Sequence, residues 1–213
     1  MAGEASETDR LLQRAVGGDE TSWGVLLTQH EERLRRMIAF RLDQRLQGRI
    51  DASDVIQEVY LEAFTHLADY VRHPAMPFFL WLRGIAGNKL LELHRHHLGT
   101  GMRDAGREVS LYSGTLPETT SAALAAQLLG HITRPSEAAI RAEVKIRLQE
   151  ALNCMDPLDR EVLALRHFEM LSNAETAQVL GLKKSGASSR YIRALERLKD
   201  ILSALPDFAG GEW

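Results

Sequence analysis

The stretch from Leu171 to Leu202, LSNAETAQVLGLKKSGASSRYIRALERLKDIL, leaves the backbone few options. Ser172 with Glu175 forms a capping box, in which the hydroxyl accepts from an orphan amide and the carboxylate reaches back. The helix that follows must be short, because Gly181 stands where a left-handed residue ends it. A second helix then runs from about Lys184 to Leu202. At ~100° per residue, Ala187, Tyr191, Ala194, Leu195, Leu198 and Leu202 turn to one side. Lys183, Lys184, Ser185, Ser188, Ser189, Arg190, Arg193 and Arg197 turn to the other.

Long cationic donors beside small hydroxyls suit a helix laid in the major groove of DNA. A helix-turn-helix places its second helix there. A solvated basic face is the blander reading of the same residues. Bulk charge does not favour DNA: the net charge is −3, whereas nonspecific affinity needs phosphates neutralised. Any nucleic-acid role has to come from local patches.

The remaining periodicity is also helical, with no sustained apolar–polar alternation. A first helix spans about Glu7 to Val16 and stops at Gly17-Gly18. Asp19 caps a second, which carries Arg33, Arg35, Arg36 and Arg41 toward its end. A third runs from Asp51-Ala52-Ser53-Asp54 to about Tyr70, and a fourth from about Pro77 to before Gly99. Residues 99–135 are rich in Gly, Ser, Thr and Pro, with one Ala/Leu patch able to form a helical turn or two. They read as a flexible linker. Helical spacing resumes with Ile140, Val144, Leu148 and Leu152, and Asp156-Pro157 starts another helix carrying Leu158, Val162, Leu165 and Phe168. The expectation is an all-α chain. Two small helical domains, 1–98 and 136–205, flank the linker, and a tail covers 206–213.

Several functions are disfavoured. The single cysteine, Cys154, excludes an internal disulfide, and the acidic start MAGEASETDRLL lacks the pattern of a secretory leader. No uncharged run spans a bilayer. A cytoplasmic protein without membrane insertion is expected. No Gly-rich phosphate loop, metalloprotease pair or nucleophile constellation points to an enzyme. The run His94, Arg95, His96, His97 points its rings in different directions and completes no metal site. No cofactor is expected.

Two helices in the first half carry further signals. On the third, Ala52, Val55, Ile56, Val59, Ala63 and Leu67 share a core face. Asp54, Gln57, Glu58 and Glu62 lie opposite, with Leu61 among them. An acidic rim around one apolar residue suits a basic partner helix. The fourth crowds Phe78, Phe79 and Trp81 at its start, with Arg83, Asn88, His94 and Arg95 further on. Aromatics beside cations suit single-stranded nucleic acid, although such rings are more often core.

Taken in order, DVIQEVYLEAF, FLWLRGIAGNKLLELHRHH, MDPLDREVLALRHFEMLSNAETAQVLGL and SSRYIRALERL resemble the extracytoplasmic-function group of sigma-70-type RNA polymerase sigma factors. The resemblance covers about residues 10–98 and 136–203, and the wording is most similar to planctomycete-type versions. It implies a non-catalytic initiation factor of two domains, region 2-like and region 4-like. Its partners would be core RNA polymerase, through the β′ clamp helices and the β flap, and promoter DNA, both duplex and single-stranded. An anti-sigma factor is a further candidate partner, and the free chain would be a monomer.

Residue by residue, the resemblance assigns Asp54, Gln57, Glu58, Leu61 and Glu62 to core polymerase. It assigns Tyr70, Arg72, His73, Phe78, Trp81, Arg83, Asn88, His94 and Arg95 to the minus-ten element. Lys183, Lys184, Ser185, Ser188, Ser189, Arg190, Arg193 and Arg197 fall to the minus-thirty-five element. The linker would thread toward the active-site channel. Departures are Gly84 and Gly87 where many relatives carry Arg, Gly186 at a usual Thr, and Ser188 at a usual Lys. The rival reading is a helix-turn-helix regulator that binds duplex operators without core polymerase.

Overall fold

A computed structural model describes residues 2–43, 45–46, 48–98, 117–130 and 138–204. Every element among them is helical: α1 (Ala2–Val16), α2 (Glu20–Arg41), α3 (Ala52–Arg72), α4 (Phe78–Leu98), α5 (Pro117–Gly130), α6 (Ala138–Asn153), α7 (Pro157–Leu163), α8 (Asn173–Val179) and α9 (Lys184–Ala204). A π-helical turn, Ala164–Phe168, extends α7. The chain forms two compact units, Met1–Gly114 and Thr115–Trp213.

In the first unit α1 packs on α2 and α3, and α2, α3 and α4 pack on one another. Each boundary has a local cause. Gly18 takes a φ of 91° after α1, and the Asp19 carboxylate accepts from the Ser22 amide to start α2. Asp51 does the same for Ser53 at the start of α3. The expected α3 core face is largely observed: Val55, Ile56, Val59, Ala63 and Leu67 are buried and Ala52 is half-buried, and on α2 Leu26, Leu34, Met37 and Ile38 are buried too. Two polar ties cross α2 and α3. Arg35 donates to Ser53 Oγ at 2.9 Å, and the Tyr60 hydroxyl donates to the Leu27 carbonyl at 3.0 Å.

In the second unit α5 packs on α6 and α7, and α9 packs on α6, α7 and α8. The Ala/Leu patch within 99–135, expected as a turn or two of helix in a linker, is the 14-residue helix α5. Ala and Leu are strong helix formers. Ser121, Leu124, Ala125 and Leu129 fall on one stripe and are buried, so packing reinforces what propensity begins. The other linker residues and the tail lie outside the described residues.

The end of α6 is capped from a distance. Arg160 is buried and donates to the carbonyls of Leu152, Asn153 and Met155 at 2.9–3.0 Å. The first two are among the orphan acceptors that a helix C-terminus leaves, and the third lies just beyond it. After the π turn Met170 takes a φ of 57°, and the Leu171 amide donates to the Leu165 carbonyl at 2.8 Å. The left-handed residue that closes this helix is thus a methionine rather than the usual glycine.

Candidate functional site

The hairpin of α8 and α9 begins with the capping box: Glu175 N donates to Ser172 Oγ at 3.2 Å and Ser172 N to Glu175 Oε2 at 2.8 Å. Gly181 turns the chain with a φ of 64°. The Asn173 amide donates to the Lys184 carbonyl at 2.8 Å and joins the starts of the two helices. Ala187, Ala194 and Leu202 of α9 are buried, while Tyr191, Leu195 and Leu198 are half-buried. Tyr191 is held on its edge by a 2.9 Å hydrogen bond between its hydroxyl and His167 Nε2. Burial holds the His167 imidazole below its usual pKa, with neighbouring Arg166 adding to the effect.

On the outer face Lys183, Lys184, Ser185, Ser188, Ser189, Arg193 and Arg197 are exposed. Arg190 is not. It is half-buried and paired with Asp159 at 2.6 Å and Asp156 at 3.4 Å. These acids lie at the start of α7, one of them its cap, so Arg190 braces α9 against α7 instead of projecting from it. Gly186 lies beside the serines, and a Cβ there would meet nothing within 4 Å. The start of α9 is therefore a low surface edged by cations, and a polyanion can approach its backbone closely.

The other exposed feature lies on α3. Asp54, Gln57 and Glu58 are exposed and Glu62 is half-buried. Leu61 in their midst is 70% exposed and Phe64, a turn away, 53%. Lys89 of α4 approaches Glu62 at 3.3 Å and Glu58 at 3.9 Å, so the acids are only partly neutralised. Phe64 also meets Trp23 of α2 with ring centroids 5.7 Å apart. Phe64 was missed in the sequence, although an apolar residue three positions after Leu61 shares its helix face.

The α4 assignments divide. Four of the residues expected at the minus-ten element are buried: Phe78 and Arg83 in the first turns of α4, His94 near its end and Tyr70 at the end of α3. Phe78 is in the core. Tyr70 is also buried: its ring stacks on Trp81 at 4.5 Å, and its hydroxyl donates to the Met76 carbonyl at 2.8 Å. Burial pushes this phenol up to about 12. Arg83 is only 1% exposed. His94 is 2% exposed and accepts a hydrogen bond from the Asp43 amide at 3.2 Å through Nε2. Burial holds its pKa below the usual 6.5, against the pull of Asp43. Tyr70 and Phe78 brace the α3–α4 corner, and His94 ties α4 to the segment after α2. Trp81 is half-buried, and Arg72, His73, Asn88 and Arg95 are exposed, with Arg72 paired to Asp69 at 2.6 Å.

The family model for Sigma-70, region 4 matches residues 145–198, from within α6 to within α9. Over 209 residues the chain is 32% identical to the ECF RNA polymerase sigma factor SigD of Mycobacterium tuberculosis, covering 98% of this chain and 90% of that one. The chain belongs to the ECF RNA polymerase sigma factors. It is a DNA-binding factor of transcription initiation, from a family of non-enzymatic proteins. A second relative, RNA polymerase sigma-H factor of Pseudomonas aeruginosa, is 25% identical, covering 93% of this sigma factor and 95% of its own length. The solved structure of CnrH in complex with the cytosolic domain of CnrY aligns with a TM-score of 0.53 at 24% identity, covering 93% of this chain and 98% of that one. That likeness speaks for the helical fold. No helix among the described residues is long and apolar enough to cross a membrane.

Proposed function

We propose that this sigma factor docks on core RNA polymerase through the acid-rimmed apolar face of α3 and reads promoter duplex with the start of α9. One observation carries the first half: Leu61 is 70% exposed, with Asp54, Gln57 and Glu58 exposed around it. Such a residue gains free energy when covered, and the acids choose a basic partner. The β′ clamp helices are the assigned partner for this face. The β flap is a further polymerase contact. A protein inhibitor that covered Leu61 would compete with polymerase.

Lys183, Lys184, Ser185, Ser188, Ser189 and Arg193 supply the upstream duplex contacts. Trp81, Arg72, His73, Asn88 and Arg95 remain the exposed or half-exposed candidates for the minus-ten strand. Capturing unstacked bases there offsets an unpairing cost of a few kcal/mol per base. Two modest DNA readers become specific when polymerase holds both, so the free chain binds promoter DNA weakly. It acts in the cytoplasm, as a monomer until it meets polymerase.

The test is transcription in vitro from a promoter library by core polymerase, with and without this chain. Promoter-selective transcripts that require the chain support the reading. Tight operator binding without polymerase, with no effect on polymerase selectivity, favours the rival regulator.

A further inference from the structure

We infer that Ile192 reads the methyl group of a thymine in the upstream duplex element. This rests on α9 being the duplex reader and adds a specificity residue that the sequence patterning did not pick out. Three observations lead to it. First, Ile192 is 55% exposed, and of the large apolar residues exposed on the described part of the second unit it alone sits on α9. Second, it lies on the outer face. At ~100° per residue it falls in line with Ser185, Ser188 and Ser189, all exposed. Those side chains are short and Gly186 has none, with open space where a Cβ would stand. Once the helix start enters a groove, Ile192 is the longest apolar projection facing the bases.

Third, one of the two cations on its turn is withdrawn. Arg190 is tied to Asp159 at 2.6 Å and to Asp156 at 3.4 Å, so readout on this turn falls to Ile192 and Arg193. Ile192 is eight residues beyond Lys184, ~12 Å along the axis at 1.5 Å per residue, so the two address different base pairs. On a major-groove floor made of donors and acceptors, the thymine C5-methyl is the apolar group. An isoleucine gains from covering it and gains nothing from the polar edges of the other bases.

The experiment uses holoenzyme assembled from bacterial core polymerase and the full chain. Upstream elements are first selected from a randomised promoter library by transcription. In the selected element, each thymine is then replaced in turn by deoxyuridine, which deletes only the methyl. For the wild-type chain, transcription should fall about fourfold at one thymine, the effect of uncovering one buried carbon group. I192A should be lowered to a similar degree on the thymine template and be indifferent to deoxyuridine at that position. I192V should keep the discrimination. Changes at positions read by Lys184 or Arg193 should affect I192A and wild type alike.

An upstream element without thymine overturns the inference. So does wild-type transcription that ignores every methyl, or an I192A chain that keeps the wild-type methyl dependence. If no promoter-selective transcription occurs with the wild-type chain on any template, the duplex-reading function itself has failed, and the inference falls with it. Failure of the two readings is thereby told apart.

Discussion

The exposed face of α3 and the exposed face of α9 are both helix surfaces of similar length, yet they are chemical opposites. The first sets Leu61 and Phe64 in a rim of carboxylates. The second sets serines and a bare Gly186 among lysines and arginines. A net charge of −3 conceals both. Bulk charge is a poor guide to nucleic-acid binding when a second surface carries compensating acid.

The sharpest way to break this contrast is charge reversal on one side only. D54K/E58K should lower promoter-selective transcription by roughly a thousandfold, since lost charge complementarity costs several kcal/mol at an interface. The circular dichroism spectrum should stay unchanged, because both residues are exposed. Co-migration with core polymerase on a sizing column should disappear as well. Retention of full activity would show that the α3 acids are only a solvated face.

The next test concerns what supports each face. Leu124 of α5 is 1% exposed. L124A should destabilise the second unit by about 2–5 kcal/mol, as buried leucine truncations do. Hydrogen exchange should show the loss in α6 and α7 and spare α2 and α3. No loss would mean that the α5 stripe is not part of that core. A smaller effect is expected at the capping box: S172A should cost about 1 kcal/mol in denaturant unfolding of the second unit.

The smallest effect depends on pH. His94 has a lowered pKa in the folded chain because it is buried, and its Nε2 accepts from the Asp43 amide. Protons therefore bind the unfolded chain more readily. The stabilisation is complete above the ordinary histidine value of 6.5 and is lost as pH falls below it. Thermal unfolding of the first unit between pH 7 and pH 5.5 should reveal a decline, and H94Q should flatten it. An equally steep decline in H94Q would locate the titration elsewhere.

Helix starts were the most legible part of the fold, because Asp19, Asp51, Asp156 and Ser172 each act within a few residues. The core face of α3 and the α8–α9 turn were legible for the same local reason. Residues 117–130 were harder: Ser, Thr and Gly around the patch hid a helix whose stability comes from packing on α6 and α7. The burial of side chains on α4 was the least legible feature. A sequence cannot distinguish an arginine or histidine that reaches solvent from one that folds inward, and Arg83 and His94 fold inward. Arg190 misled similarly, since its acids lie 31 and 34 positions away.

The hydrogen bond from Asn173 to the Lys184 carbonyl has a mechanical consequence. It ties the start of α9 to the start of α8, while Arg190 ties the next turns of α9 to α7. On the proposed duplex reading, a helix clamped at two points cannot swing to accommodate its target. Fitting then falls to the double helix, so tracts that bend or narrow at little cost should outrank stiff ones even where no side chain touches a base.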